Sequence, residues 1–398
     1  MHGIIKALLT TALWFAASSA LAQINMGAIG DSMTDEYLPP SPSDNQFHTD
    51  LAAHSWLEIL AQIRSGYINF GSYQAPGGSG WGDNREFGYA YNWAKTGGAA
   101  SRTSVITSGS FNLPIDSLGS AYGDTLALGL AQSISGGLVG MAYAGLGSND
   151  FFYQTRVFDF SGNDYPRGGL DTSDPAWQAA SAADIGGAIL EHVDTLMAAG
   201  EVDIILALIP PGTASGEQDA GVLAAINLAN AILVSGAAER GIPAAAVVDL
   251  WGWNDDPGRL DAQDNVLVGD LVVKAESEAT DPADLAPEGA GPCNSAGDCA
   301  TLSHATKYIA EDGLHPNTII QAMLANQVLK AMNSAYNAGI PLLSDEEILG
   351  VLSIPFNDLD SDGVVNSDDN CLMDPNPGQE DSDGDGIGNA CDLPDGCG

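Results

Sequence analysis

The chain has 398 residues, 45% of them hydrophobic, and carries 52 acidic against 12 basic side chains, a formal charge of -40. That apolar content supports one large core with an appendage, since domains hold roughly 50 to 250 residues, and it excludes a chain disordered throughout. The charge repels phosphate backbones and anionic lipid, which argues against a nucleic-acid partner.

Lys6, an apolar run from Ala7 to Ala17 and the small-residue pattern Ala20-Leu21-Ala22 follow one another in the order of a secretory signal peptide. Residues 1–22 are therefore predicted to be a cleaved leader, with the mature chain starting near Gln23 and exported to the periplasm or the extracellular space. An uncleaved anchor is the other reading. The run is shorter than the roughly 20 residues that span a bilayer, and no later segment reads as long and continuously apolar enough to do so. In an exported chain, five cysteines point to disulfides. Cys293 and Cys299 are close enough to close a small loop, Cys371 and Cys391 flank the second of two acidic repeats, and Cys397 is left over.

Short apolar runs alternate with helical patterns from 24 to about 338, which predicts an α/β domain with a parallel sheet and helices on both faces. In chain order the elements are a strand at 24–30, a helix at 49–64, a strand at 89–95, a helix at 122–134 and a strand at 138–144. A helix at 175–198, a strand at 202–209, a helix at 219–240, a strand at 244–250 and a last helix at 316–337 complete the set. Pro175 and Pro316 suit the first turns of their helices. Stretches 37–47 and 71–87, rich in Gly, Pro, Ser and aromatics, and an insertion at 255–311 interrupt the rhythm, and loops of such length tend to be functional or disordered. The domain is assigned to 23–344, a linker to 345–357 and a separate tail to 358–398.

The first strand ends in Gly30-Asp31-Ser32-Met33-Thr34-Asp35, which puts Ser32 at the carboxyl edge where such sheets bind ligands. Ser32 and Ser79 each follow a Gly-x pair, but neither has glycine two residues later, so the nucleophile elbow of an α/β-hydrolase is missing. A serine hydroxyl needs a base, and histidine suits that role near neutrality. His315 lies in Asp312-Gly313-Leu314-His315-Pro316, directly before the last helix. A carboxylate three residues upstream can fold back to orient the ring, which makes Asp312 the candidate partner. His48 and His54 compete as bases but lack such a partner, and His54 reads as part of a helix. Oxyanion donors are offered by Lys95-Thr96-Gly97-Gly98, where either glycine amide can donate, and by Gly147-Ser148-Asn149-Asp150. Taken singly, Gly97 reads as a turn glycine and Asn149 as a turn former.

With Ser32, Gly97, Asn149, Asp312 and His315 in this order, the segment from Ile24 to Asn337 resembles the GDSL/SGNH hydrolase family. The resemblance implies Ser32 as nucleophile, Gly97 and Asn149 in the oxyanion hole, and Asp312 and His315 as the rest of the triad. It also implies a three-layer α/β/α sandwich with a five-stranded, flavodoxin-like parallel sheet. Met33 stands where the family usually has leucine.

Twelve acidic residues and no Lys or Arg lie between Asp358 and Asp395. Asp358, Asp360, Asp362, Gly363 and Asp369 fit positions one, three, five, six and twelve of a calcium loop, and Asp381, Asp383, Asp385, Gly386 and Asp392 repeat the pattern. Asp374-Pro375-Asn376-Pro377 follows the first loop and cannot readily begin the helix that an EF-hand needs. The segment instead resembles thrombospondin type 3 repeats, through its Asn-Cys, Asn-Pro-x-Gln and Asp-x-Asp-x-Asp-Gly order. That resemblance implies structural Ca2+ and a bridge from Cys371 to Cys391.

Two functions follow as expectations. One is a secreted esterase acting on a small ester, a lipid or an acylated carbohydrate without a catalytic cofactor. The other is a calcium-dependent adhesion protein on an inactive hydrolase fold, with cell-surface or matrix contacts through its tail. Tyr73, Trp81, Phe87 and Tyr89 suit an acyl pocket, a sugar platform or plain loop packing alike.

Overall fold

The computed structural model of the chain describes residues 23–35, 54–74, 88–95, 97–101, 105–108, 111–114, 123–158, 164–166, 168–210, 219–252, 256, 258–263, 265–273, 316–351, 362–364, 368–371, 376–382 and 388–390. The predicted leader lies outside them.

Five strands form one parallel sheet: β1 (Ile24–Gly30), β2 (Ile68–Asn69), β3 (Met141–Gly145), β4 (Asp203–Ala207) and β5 (Val247–Val248), in the order β5-β4-β3-β1-β2. β1 carries no charge and its last five residues are buried, as expected of a parallel strand covered on both faces. The chain runs from β1 outward to β2 and then back to β3 on the other side of β1. That reversal makes the carboxyl ends of β1 and β3 the switch point where open α/β sheets bind ligands.

Seven helices occur among the described residues: α1 (Trp56–Ile63), α2 (Gly123–Ser135), α3 (Ser148–Thr155), α4 (Pro175–Ala198), α5 (Ala220–Glu239), α6 (Thr318–Tyr336) and α7 (Asp345–Val351). α4 packs along both α2 and α5, and α2 lies against β1, while α1 packs along α6, which lies against β4 and β5. Right-handed crossovers assign these two groups to opposite faces, because the chain moves one way from β1 to β2 and the other way from β2 to β5. Local chemistry sets the helix starts. Ser55 and Glu58 form a reciprocal capping box on α1, Asp174 caps α4 ahead of Pro175, and Asp219 accepts the Gly221 and Val222 N–H groups of α5. Asn317 caps α6 by accepting the Ile320 N–H at 2.9 Å.

Several sequence expectations are corrected. The segment expected as a strand at 89–95 is divided: Gly88–Tyr89 pairs antiparallel with Tyr73–Gln74, and Asn92 makes an isolated parallel bridge to Ala28. The edge of the sheet goes instead to Ile68–Asn69, too short a run to stand out as a strand. The start of the segment at 244–250 is a 3-10 turn, Ala244–Ala246, led by Pro243. Two further sheets were not foreseen, one of Val105–Ser108, Phe111–Pro114, Arg156–Phe158 and Asp164–Pro166, the other a hairpin of Val266–Val268 and Leu271–Val273. Within the span read as linker, α7 packs on α6, and Glu347 holds Arg64 of the α1 C-cap through two bonds of 2.7 and 2.8 Å. The α/β unit therefore extends to Val351. Finally, α5 does have the length and apolar composition of a membrane span, and it packs along α4 between its Asp219 and Arg240 caps.

In the tail, the motif residues bond to one another. The Gln379 side chain accepts the Asn370 N–H at 2.7 Å and donates to Asp369 Oδ1 and Asn376 Oδ1, each at 2.8 Å, while Asn376 Nδ2 donates to Asn370 Oδ1 at 2.7 Å. Cys371 is buried and disulfide-bonded, to a partner outside the described residues.

Candidate functional site

Ser32 leaves β1 in a tight turn. The Asp31 carbonyl accepts the Thr34 and Asp35 N–H groups, both at 3.0 Å, and the Asp31 carboxylate accepts the Met33 N–H at 3.0 Å, the side-chain mimicry of a turn at which aspartate excels. Thr34 is fully buried and ties this turn to three other elements. Its Oγ1 accepts the Trp56 indole N–H at 3.2 Å, its carbonyl accepts Asn92 Nδ2 at 3.0 Å, and its side chain bonds to the Tyr143 hydroxyl. Burial, then the neighbouring Asp31, push the Tyr143 phenol well above its ordinary range, with the Thr34 bond opposing, so it stays protonated.

The glycine segment lies directly against this turn. Lys95 N–H donates to the Gly30 carbonyl at 3.0 Å, and Gly98 N–H donates to the Lys95 carbonyl at 2.8 Å. A Cβ at Gly98 would stand 2.9 Å from Gly30 O and 3.4 Å from Asp31 Cα, so no side chain fits there. Gly97 has φ +77°, which favours glycine. Because the Gly98 N–H is already bonded, the Gly97 N–H is the one of the two with no acceptor among the described residues.

Helix α3 begins beyond the end of β3 and faces the same segment. Asn149 Nδ2 donates one of its two protons to the Gly98 carbonyl at 3.0 Å, and the other has no acceptor among the described residues. The Tyr153 hydroxyl donates to the Gly97 carbonyl at 3.1 Å. Asp150, with 0% exposure, accepts the Ala100 N–H at 2.7 Å and the Ser101 N–H at 2.8 Å. Further in, the Ser101 hydroxyl donates to Asp184 at 2.7 Å, and His192 Nε2 lies 2.8 Å from the Ala100 carbonyl, which can only accept, so that nitrogen carries the proton. Burial, then Asp150 and Asp31, raise the Tyr153 phenol far above its ordinary range and keep it a donor.

The N-terminus of α6 is anchored near the same turn. Thr318 Oγ1 accepts the His54 N–H at 3.1 Å, and Gln321 accepts the Trp56 N–H at 3.1 Å, next to the Trp56 indole that reaches Thr34. The His54 ring is 3.8 Å from Glu58, and its Nδ1 is buried without a hydrogen bond to any of the described residues.

The structure thus brings Ser32, Gly97 and Asn149 to one place, at the carboxyl ends of β1 and β3. Asp312, His315 and the competing His48 lie outside the described residues, as do Asp358, Asp360, Asp383, Asp385 and Asp392. Of the proposed calcium ligands, Asp362, Asp369 and Asp381 are described, and among the described residues no three acidic, His or Cys side chains cluster as a metal site. The second Asp369 oxygen is buried and makes no hydrogen bond there, which suits an oxygen ligand for a hard cation. Thr34, Tyr143, Asp150 and Tyr153 were missed by sequence reasoning. Only Tyr153 left a hint, standing one helical turn after Asn149.

The chain matches no protein-family model, and no curated protein shows significant sequence similarity to it.

Proposed function

We propose that this chain is an exported serine hydrolase of the GDSL/SGNH type that cleaves carboxylic esters. The observation that carries the reading is the convergence at the switch point of the sheet of Ser32, the Gly97 N–H, which has no acceptor among the described residues, and the Asn149 amide, which uses one of its two protons there. A serine at the end of a strand against which a glycine segment and an asparagine amide are held suits acyl transfer, in which negative charge develops on the carbonyl oxygen and N–H donors can receive it. Further support comes from α6: its first residues, which follow Asp312 and His315 in sequence, bond to His54 and Trp56 beside the Ser32 turn.

In this mechanism His315, oriented by Asp312, removes the Ser32 proton as Oγ attacks the ester carbonyl. Gly97 N–H, Asn149 Nδ2 and the Ser32 N–H hold the tetrahedral oxyanion. Collapse breaks the ester C–O bond, and the alcohol leaves with the proton from His315. Water, deprotonated by the same imidazole, then attacks the acyl-enzyme to release the acid and restore Ser32. The substrate class extends over small esters, lipids and acylated carbohydrates, since the fold does not choose among them. We assign the acidic tail a structural calcium role through Asp358, Asp360, Asp362, Asp369, Asp381, Asp383, Asp385 and Asp392, apart from the chemistry.

The test is turnover of 4-nitrophenyl esters together with covalent labelling by a fluorophosphonate. The parent chain should do both and Ser32→Ala neither, with turnover lower by a factor on the order of 10⁴ to 10⁶ and the fold intact. Substantial turnover in Ser32→Ala, or labelling at another serine, removes the assignment.

A further inference from the structure

We infer that Tyr153 and Asp150 are positioning residues that fix two of the three oxyanion donors, the Gly97 N–H and the Asn149 amide, to one rigid body, helix α3. This inference rests on the reading of Ser32, Gly97 and Asn149 as an acyl-transfer site. α3 grips the glycine segment at three successive levels. Tyr153 holds the Gly97 carbonyl at 3.1 Å, Asn149 holds the Gly98 carbonyl at 3.0 Å, and Asp150 holds the Ala100 and Ser101 N–H groups at 2.7 and 2.8 Å. The same short helix therefore carries one donor, the Asn149 amide, and clamps the backbone that supplies a second, the Gly97 N–H.

The clamp matters because Gly97, at φ +77°, has no side chain to restrict its backbone, and an oxyanion donor works only when held in place before the charge forms. Tyr153 acts on the carbonyl of Gly97 itself, so it sets the peptide plane adjoining that donor. Asp150 is a fully buried carboxylate whose two oxygens are both committed to the segment. Such a group fixes backbone more firmly than a neutral acceptor, since charge-assisted bonds are roughly twice as strong. Behind it, His192 and Asp184 hold Ala100 and Ser101 from α4, so the segment cannot shift away from α3 without breaking a second set of bonds. Neither Tyr153 nor Asp150 is placed to meet substrate in this scheme; each acts through the glycine backbone.

The experiment compares the parent chain, Ser32→Ala, Tyr153→Phe and Asp150→Asn, all full length, with active sites counted by fluorophosphonate labelling. kcat and KM are measured on 4-nitrophenyl acetate, and inhibition is measured with phenylboronic acid, whose tetrahedral serine adduct puts an oxygen in the oxyanion position. Per labelled site, Tyr153→Phe should lower kcat about 10-fold and Asp150→Asn by up to about 100-fold, with KM within about twofold and the boronate inhibition constant raised in parallel. A merely structural role would reduce the number of labelled sites and leave kcat per site and boronate affinity unchanged, and that result overturns the inference. If Asp150→Asn does not fold, Tyr153→Phe, which removes one oxygen atom, still decides. An active parent, an inactive Ser32→Ala and a parental Tyr153→Phe would sink the positioning role alone, whereas a parent chain that neither turns over ester nor labels at Ser32 would sink the acyl-transfer reading and this inference with it.

Discussion

Asn149 donates to the Gly98 carbonyl at 3.0 Å across 51 positions of the chain, while the Gly98 N–H is bonded to Lys95. Gly98 is thus the hinge piece between the two halves of the candidate site. It touches the strand end that leads to Ser32 on one side and the helix that carries the second donor on the other.

Gly98→Ala tests that junction. The added Cβ would meet Lys95 O at 2.8 Å and Gly30 O at 2.9 Å, both backbone atoms that cannot rotate away. A shift of the Ser32 turn or of the glycine segment is required, with an expected loss of about 1–3 kcal/mol in stability and of roughly 10²-fold in ester turnover, the cost of a displacement near 1 Å. Parental melting temperature and kcat in this variant would show that the two segments are not in the contact described.

Asp312→Asn should leave KM near the parental value and depress kcat by about 10⁴-fold, because the imidazole of His315 would lose its orienting anion. In the parent, turnover should rise with pH through roughly 6.5, as a histidine base loses its proton. Unchanged turnover in Asp312→Asn would move the orienting role to another carboxylate.

How far the sequence revealed this architecture depended on how local the determinants are. β1, α4 and α5 were legible nearly to the residue, because an uncharged apolar run and the Asp174-Pro175 and Asp219 caps are written in adjacent positions. β2 was not: two residues at Ile68–Asn69 win the sheet edge only through pairing with Ile24–Asn25, a tertiary effect. Ser32, Gly97 and Asn149 stood out because each follows a strand, real or anticipated. Asp150 and Tyr153 did not, because their partners lie about 50 residues away and become visible only when β1 and β3 are neighbours.

Glu347 sets a pH dependence on the fold. The Arg64 guanidinium pulls its carboxyl from the ordinary 4.5 down to about 2, against some burial. A folded value below the unfolded one means that the stabilisation is fully present above about pH 4.5 and is lost as pH falls toward 2. Glu347 is 37% exposed while Arg64 is only 6% exposed, so solvent screening tempers the pair, and its loss leaves the buried guanidinium with only the Pro341, Leu342 and Ile63 carbonyls as acceptors. Glu347→Gln should therefore cost about 1–2 kcal/mol near neutrality. Thermal melts should show that gap narrowing between pH 5 and 2 in proportion to protonation. A gap independent of pH would mean that packing of α7, and not the ion pair, carries the effect.

The last prediction separates the tail from the chemistry. Asp369 has one oxygen bonded to the Cys371 N–H and the Gln379 amide and the other buried without a hydrogen bond among the described residues, an arrangement that is costly for a carboxylate and that a dication would relieve. Calcium should accordingly protect the tail from proteolysis, with affinity in the range of about 10⁻⁴ to 10⁻³ M if the chain is exported as proposed. Asp369→Asn removes the anion while keeping the shape, so it should weaken calcium binding by at least about 10-fold and leave ester turnover unchanged. Deletion from residue 358 onward should abolish the protection and spare most turnover, since Ser32, Gly97, Asn149, Asp312 and His315 all precede it. The deletion leaves α7 and its Arg64 contact in place, so the α/β unit keeps its last helix. Turnover and tail cleavage are measured for the full chain, Asp369→Asn and the deletion, with calcium and with chelator. Collapse of turnover in the full chain on chelation, together with an inactive deletion, would make the tail part of the catalytic unit, while calcium-independent cleavage of the full chain would end the calcium assignment.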